Sequence, residues 1–463
     1  MLDPYLEACE LRDLIAAGDL SIREVADFFL RRVERLNPAL GAFITISADR
    51  ASRDVARLEK LRPNLKSMPL FGVPYSLKDL TWTVDMPTTL GSRNYADFIA
   101  PADAEIAVRL ERAGGVLLGK TNTPEFGGRP TTEGGLGPIA RNPWNLEFNA
   151  GGSSGGAAAA ACTGMGLLHE GTDGGGSIRG PASHTGVVGL KPSRGRISWA
   201  PARGEAWGGF ATRGPMTRTV RDAALMLDVV AGPVLGDPYW APPPNKSFLE
   251  STKDAQRRAR IAVIGETAVA PVDPEVTHQF NFACDLLGSL GHELEEMKLD
   301  PAAMLLESAR KLICVGVAAI PLTDPQSVDP VVQEMMRHGS AVSAGEYVNL
   351  VATMHNVARE IVQALAPYDL VLTPTATRPA ARNGTFPSAP EHYLDELWTW
   401  IAFQYPFNAT GQPAISVPNG FSAAGLPIGL QIIGRPNDDA GVLAMAARFE
   451  EARPWKHLRP PIN

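Results

Sequence analysis

Gly151-Gly152-Ser153-Ser154-Gly155-Gly156, then an alanine run, then Gly171-Thr172-Asp173-Gly174-Gly175-Gly176-Ser177-Ile178-Arg179 is the stretch on which the reading of this chain turns. Glycine loses more conformational freedom on folding than any other residue. Two clusters of it around serines therefore imply backbone amides that must approach something closely. Between the clusters, Gly156 to about Gly164 predicts a single small-residue helix. Successive amides from Gly174 to Ser177 can form a concave nest of donors aimed at a developing negative charge, with Ser177 exposed at its edge. A serine hydroxyl becomes a nucleophile only with a base beside it. If that base is not histidine, it is a lysine with a lowered pKa. Lys78 is the best candidate, because the apolar run Val73, Tyr75, Leu77 would desolvate its ammonium. A surface lysine at a strand end is the ordinary alternative.

Two motifs near this block match known patterns in letter only. Gly114 to Thr121 fits the phosphate-loop pattern GxxxxGK[ST], yet its interior is Val116-Leu117-Leu118 and Thr123-Pro124 follows. A phosphate loop needs a strand before it and a helix after it; this run predicts a buried strand instead. Gly151 to Gly155 fits GxSxG, the turn that presents a serine in Ser-His-Asp hydrolases. That turn requires a preceding strand, and Arg141 to Ala150 is polar and turn-like. His169 and His184 are close in sequence, but neither has a triad-like setting.

Outward from the block, helical and strand-like segments alternate. Ser21-Ile22-Arg23-Glu24 is a capping box for a helix that Asn37-Pro38 should stop. Leu70 to Leu77 and Val116 to Leu118 predict strands. So do Arg260 to Gly265, Asp369 to Pro374, Ala414 to Pro418 and Ile428 to Gly434. Thr219-Val220-Arg221-Asp222 caps a helix over 223–230, Asp273-Pro274-Glu275 starts another, and Asp439 to Glu450 is helical. Such alternation predicts an α/β chain with a mostly parallel sheet covered on both faces.

Composition narrows the function classes. The 463 residues are 44% hydrophobic and 20% charged, an ordinary globular mixture. With 43 basic against 50 acidic residues the net charge is -7, so there is no basic footprint for nucleic acid. Cys9, Cys162, Cys284 and Cys314 are scattered and show neither metal-ligand nor disulfide spacing. Cys162, after the alanine run, reads as a small buried apolar residue. The N-terminus lacks the features of a secretory signal, and Ala157 to Leu168 falls short of the ~20 apolar residues of a membrane span. The expectation is a soluble, cytoplasmic protein without metal or cofactor.

The Gly151–Lys191 block closely resembles the signature of the amidase signature family of serine hydrolases. The resemblance extends to Gly72-Val73-Pro74-Tyr75-Ser76-Leu77-Lys78-Asp79, to Thr121 to Phe126 and to Arg141 to Asn145. Gly214 to Arg218 and Gly425 to Gln431 match later landmarks, and the match is weakest from about 233 to 406. It implies one large domain with a mixed, mostly parallel sheet. Within it lie an N-terminal helical arm (about 1–65), a signature core (66–232), a variable pocket region (233–410) and a C-terminal return to the core (411–463).

By position the resemblance places a catalytic triad on Lys78, Ser153 and Ser177, with a cis peptide between Gly152 and Ser153. It implies that a proton passes through Ser153 to Lys78 while Ser177 attacks a carbonyl and forms an acyl-enzyme. Amides of Gly174, Gly175, Gly176 and Ser177 would hold the oxyanion. Asp173 and Arg179 would pin the loop, and Ser154 and Thr172 would support it. Glycine at 174, where many relatives carry a larger residue, would loosen the loop or open space beside the acyl group.

The implied activity is hydrolysis of amides, with esters and carbamates also possible substrates, since relatives of this kind include aryl acylamidases and urethanases. The alternative is the glutaminase subunit of a tRNA-dependent amidotransferase, for which Arg359 could bind a carboxylate. A fold that has lost catalysis is a third reading. The expected partner is a small molecule, with no nucleic acid and no membrane, and the chain as monomer or homodimer. Trp199, Trp207, Phe210, Trp398, Trp400, Phe403, Tyr405 and Phe407 could line an aromatic pocket within 200–410, though core packing is the ordinary reading of each.

Overall fold

Short apolar runs and short loops set the architecture of the computed structural model, which describes residues 2–254 and 258–462. Its strands are β1 (Phe43–Ile46), β2 (Pro74–Lys78), β3 (Val116–Thr121), β4 (Arg141–Asn142), β5 (Asn145–Asn149), β6 (Leu168–Asp173) and β7 (Val188–Lys191). They continue as β8 (Thr212–Thr217), β9 (Arg260–Val263), β10 (Glu293–Glu296), β11 (Leu370–Pro374), β12 (Ala414–Phe421) and β13 (Pro427–Gly434). Eleven of them form a single sheet ordered β1-β3-β2-β6-β8-β7-β12-β13-β11-β9-β10, and β4 and β5 pair separately. Every residue of β2, β3, β6, β7, β8, β11 and β13 is buried, so both faces of the sheet are covered there. The chain is one large α/β domain.

The sheet is mixed, as expected, and its parallel part is confined to the flanks. β3-β2-β6 on one side and β11-β9-β10 on the other pair parallel. The pairs β6-β8, β8-β7, β7-β12, β12-β13 and β13-β11 are antiparallel. Connection length explains the difference. Ser422 to Leu426 is too short for a crossover and folds β12 and β13 into a hairpin. Helix-bearing connections join β2 to β3 and β3 to β6.

Local expectations are met at most element ends. Ser21 and Glu24 form the capping box of helix Ile22–Leu40, and Thr219 caps Val220–Val230. Asn37-Pro38 does not stop the first of these helices. Pro38 sits in its last turn, and Gly41 in the left-handed region ends it, its amide bonded to the Asn37 carbonyl. Cys162 is fully buried at the end of helix Gly155–Cys162. Among the described residues no helix is long and apolar enough to cross a membrane.

A second apolar cluster, separate from the main sheet core, packs the helices Pro301–Ala318, Pro330–Ser340, Ala344–Leu365 and Tyr393–Ile401 around Leu312, Val332, Met335, Met354 and Leu397. A cavity separates this cluster from Leu80, just past β2, and from Thr172 in β6.

Far from that cavity, three carboxylates share one buried corner. Glu7 is paired to Arg221 and Lys456, while burial pushes Asp222 up to about 7 and Glu450 up to about 8. Glu450 Oε2 accepts from the Val220 amide and its Oε1 has no partner. A carboxyl raised in the folded state binds its proton there more tightly than in the unfolded chain. Stability therefore falls as pH rises from the ordinary carboxylate range through about 8. Glu450→Gln should leave the melting temperature nearly unchanged at pH 5 and raise it at pH 9. Equal shifts at both pH values in a thermal-shift series would contradict this.

Candidate active site

Lys78 closes β2, and the packed residues before it carry its side chain into the interior, where it is fully buried. Its Nζ meets three hydroxyls: Ser153 Oγ at 2.7 Å, Ser154 Oγ at 2.9 Å and Thr172 Oγ1 at 3.0 Å. Burial pushes its pKa down to about 7, against the opposing pull of Glu170 and Asp173. Glu170 accepts instead from the main-chain N–H of Lys78 at 2.9 Å and from Thr81 Oγ1 at 2.9 Å. The amine is thus surrounded by neutral oxygens, a setting that favours its uncharged form.

Hydrogen-bond accounting separates the two neighbouring serines. Ser154 Oγ donates to the Thr172 carbonyl at 3.2 Å and accepts from the Thr172 amide at 3.3 Å. Its one proton is committed, so it meets Lys78 as an acceptor. Of the two serines, Ser153 is the one whose hydroxyl proton is not committed elsewhere. The Gly152–Ser153 peptide is cis, as the resemblance implied. The Ser154 amide donates to the Ser177 carbonyl at 3.1 Å and ties the two glycine-rich loops together.

Asp173 organises the second loop. Its Oδ1 accepts from the Gly176 amide at 2.7 Å and its Oδ2 from the Ile178 amide at 3.2 Å. Arg179 closes a fully buried ion pair with it at 2.8 Å. Burial alone would raise the Asp173 carboxyl, but the charge and hydrogen bonds of Arg179 outweigh it and hold the group well below the usual carboxylate range. Arg179 in turn reaches the Gln404 carbonyl at 2.8 Å, Gln431 Oε1 at 2.7 Å and Asn408 Oδ1 at 2.6 Å. Supporting roles for Asp173 and Arg179 were legible from their types; Gln404, Asn408 and Glu170 had no signal beyond being polar.

One expectation needs correcting. The Gly176 amide, expected among the donors to an oxyanion, donates to Asp173 instead. Glycine is still required at 176. Its φ is 131°, and a Cβ there would overlap Gln404 Oε1.

Ser153, Thr172, Gly174 and Ser177 line one end of a cavity of about 470 Å³. Its walls carry the aromatic residues Trp82, Tyr95, Phe98, Phe126, Trp199 and Trp207, with Arg203 and Glu205 also on them. Helix Pro301–Ala318 adds Leu312, Val315 and Gly316. Among the described residues, three of the four non-glycine residues with positive φ, Leu90, Phe126 and Trp207, stand on this wall, where strained backbone often marks a site.

Of the eight aromatic residues considered from the sequence, Trp199 and Trp207 line the cavity. Phe210, Trp398, Trp400, Phe403, Tyr405 and Phe407 are buried in packing instead. Tyr405 donates its hydroxyl to the Ala302 carbonyl, and Trp398 packs edge-on against its ring at 5.1 Å. Part of the wall also comes from residues 80–126, outside the 200–410 region.

The motifs set aside from the sequence have structural explanations. Val116–Thr121 is the buried strand β3, and Lys120 Nζ donates to the Thr81 carbonyl and Thr88 Oγ1 within the core. His169 pairs with Ser76 at 2.7 Å in the interior. Burial holds both His169 and His184 down at about 4, and neither lines the cavity. Arg359 lies on an exposed helix face, bonded to Asn356.

Comparison with known proteins agrees with this geometry. The family model described as amidase matches residues 24–443. The chain is 36% identical to an acylamidase of Rhodococcus erythropolis, covering 98% of this chain and 97% of that protein. It is 34% identical to a glutamyl-tRNA(Gln) amidotransferase chain of Geotalea daltonii, over 98% of each. A solved structure of 6-aminohexanoate cyclic dimer hydrolase with its substrate superposes with a TM-score of 0.92, at 31% identity and full coverage of both chains.

Proposed function

Because the chain belongs to the amidase family and is an enzyme that hydrolyses amides, we propose that it works through Lys78, Ser153 and Ser177 by way of a covalent acyl-enzyme. The observation that carries this reading is the buried amine of Lys78, 2.7 Å from a hydroxyl whose proton is free to leave. Neutral Lys78 takes the proton of Ser153, Ser153 takes that of Ser177, and the Ser177 oxygen attacks the amide carbonyl. The amides of Gly174, Gly175 and Ser177 receive the developing oxyanion. The proton returns through Ser153 to the leaving nitrogen, and water then releases the acid from Ser177.

The substrates are apolar amides with at least one sizeable flank, aromatic rings among them, and esters or carbamates of similar shape. The support is the aromatic wall of the cavity and the resemblance to a named acylamidase. A glutaminase reading has less support, because Arg359, the residue that would hold a carboxylate, lies away from the cavity.

The base sets the pH dependence. Lys78 acts when neutral, so kcat/KM should rise with pH through about 7 and level off above it. Anilide turnover measured from pH 5 to 9 tests this, together with labelling of Ser177 by a fluorophosphonate. A rate flat across that range, or a label carried elsewhere, would refute the assignment.

A further inference from the structure

Gly174, Trp207 and Gly316 are far apart in the chain and meet beside Ser177. A Cβ at 174 would lie 2.5 Å from Trp207 Cζ3. One at 316 would overlap Trp207 Cδ1 and stand 2.9 Å from its Nε1. Neither glycine is called for by its own backbone: the positive-φ glycines do not include them. Gly316 even lies inside helix Pro301–Ala318, where glycine is less favourable than alanine. Both positions are explained by the indole that fills the space between them. Trp207 itself holds a left-handed backbone, φ 56°, followed by Gly208 and Gly209 at 64° and 83°. Such a conformation is costly for a bulky residue and persists only where its surroundings hold it. Two local costs and a close-fitting glycine at 174 thus converge on placing one ring.

The ring stands at a partition. Behind Ser177 lies a second hollow of about 30 Å³, walled by Gly152, Gly175, Gly176, Ile313 and Ile401. Gly127, Ser177 and Trp207 are the residues that line both this hollow and the main cavity. Apart from Ser177 itself, the indole is the side chain that borders both spaces open to a group bonded to Ser177.

We propose that Trp207, seated between Gly174 and Gly316, sets acyl-group specificity by closing the cavity beside Ser177 to branched acyl groups while admitting flat or unbranched ones. This rests on the acyl-transfer reading above. The space that glycine leaves at 174 is filled by the Trp207 indole.

The test compares p-nitrophenyl acetate with p-nitrophenyl pivalate, whose acyl carbon bears three methyl groups. Trp207→Ala should raise the pivalate-to-acetate ratio of kcat/KM at least tenfold, in line with the 10–200-fold that one methylene is worth in an apolar pocket. Trp207→Phe, which keeps a ring and guards against a folding defect in the alanine variant, should fall between. The pre-steady burst of nitrophenolate counts acylated sites in each protein. A normal burst with an unchanged ratio in both variants would overturn the proposal and leave the acyl-enzyme reading intact. Absence of a burst and of fluorophosphonate label in the unmodified enzyme would overturn that reading, and the specificity proposal with it.

Discussion

Ser177→Ala should lower kcat/KM by on the order of 10⁵–10⁶-fold, the range seen when the nucleophile of a serine triad is removed. The fold should not change. Ser177 contributes its carbonyl to the Ser154 amide, and that bond survives in alanine. Its side chain lies at the cavity wall rather than in the core, so its loss leaves no buried void. Circular dichroism and melting temperature should match the unmodified enzyme while turnover and fluorophosphonate labelling vanish. Residual activity within a hundredfold of normal would show that another group attacks the carbonyl.

Lys78→Met should cut kcat/KM by on the order of 10⁴-fold at pH 8, because a positioned base contributes about 10²–10⁴ and the proton relay has no second acceptor. Methionine keeps most of the buried volume. Lysine at this site is costly to bury, so the variant should be at least as stable as the original. Lost activity with gained or equal stability marks a residue kept for chemistry. The limb near pH 7 should disappear from the residual rate. A variant that loses activity only by unfolding, or one that keeps that limb, would remove Lys78 as the base.

What could be read from residues alone was local. Gly151 to Arg179 advertised two loops with amides to offer, because glycine in such numbers needs a backbone reason. Lys78 could be placed after an apolar strand, and the strand is there. The walls of the cavity were harder to foresee. Trp398 and Trp199 look alike in sequence, and only packing decides that the first fills the core while the second faces the hollow. Gly316 gave no sign, since a lone helical glycine has many explanations until an indole is found against it. The commitment of the Gly176 amide depends on which way the Asp173 carboxylate turns. The antiparallel middle of the sheet was hidden too, because alternating helices and strands suit the flanks and the hairpin lies near the end of the chain.

The grip of Arg179 on Gln404, Asn408 and Gln431 has a consequence for how the enzyme can be divided. Lys78, Ser153 and Ser177, the proposed triad, sit in the first two hundred residues, yet the loop bearing Ser177 is clamped from beyond residue 400. A fragment holding the whole triad would therefore lack its vice. The Gly174–Ser177 loop thus takes its final shape only when the two ends of the chain have come together.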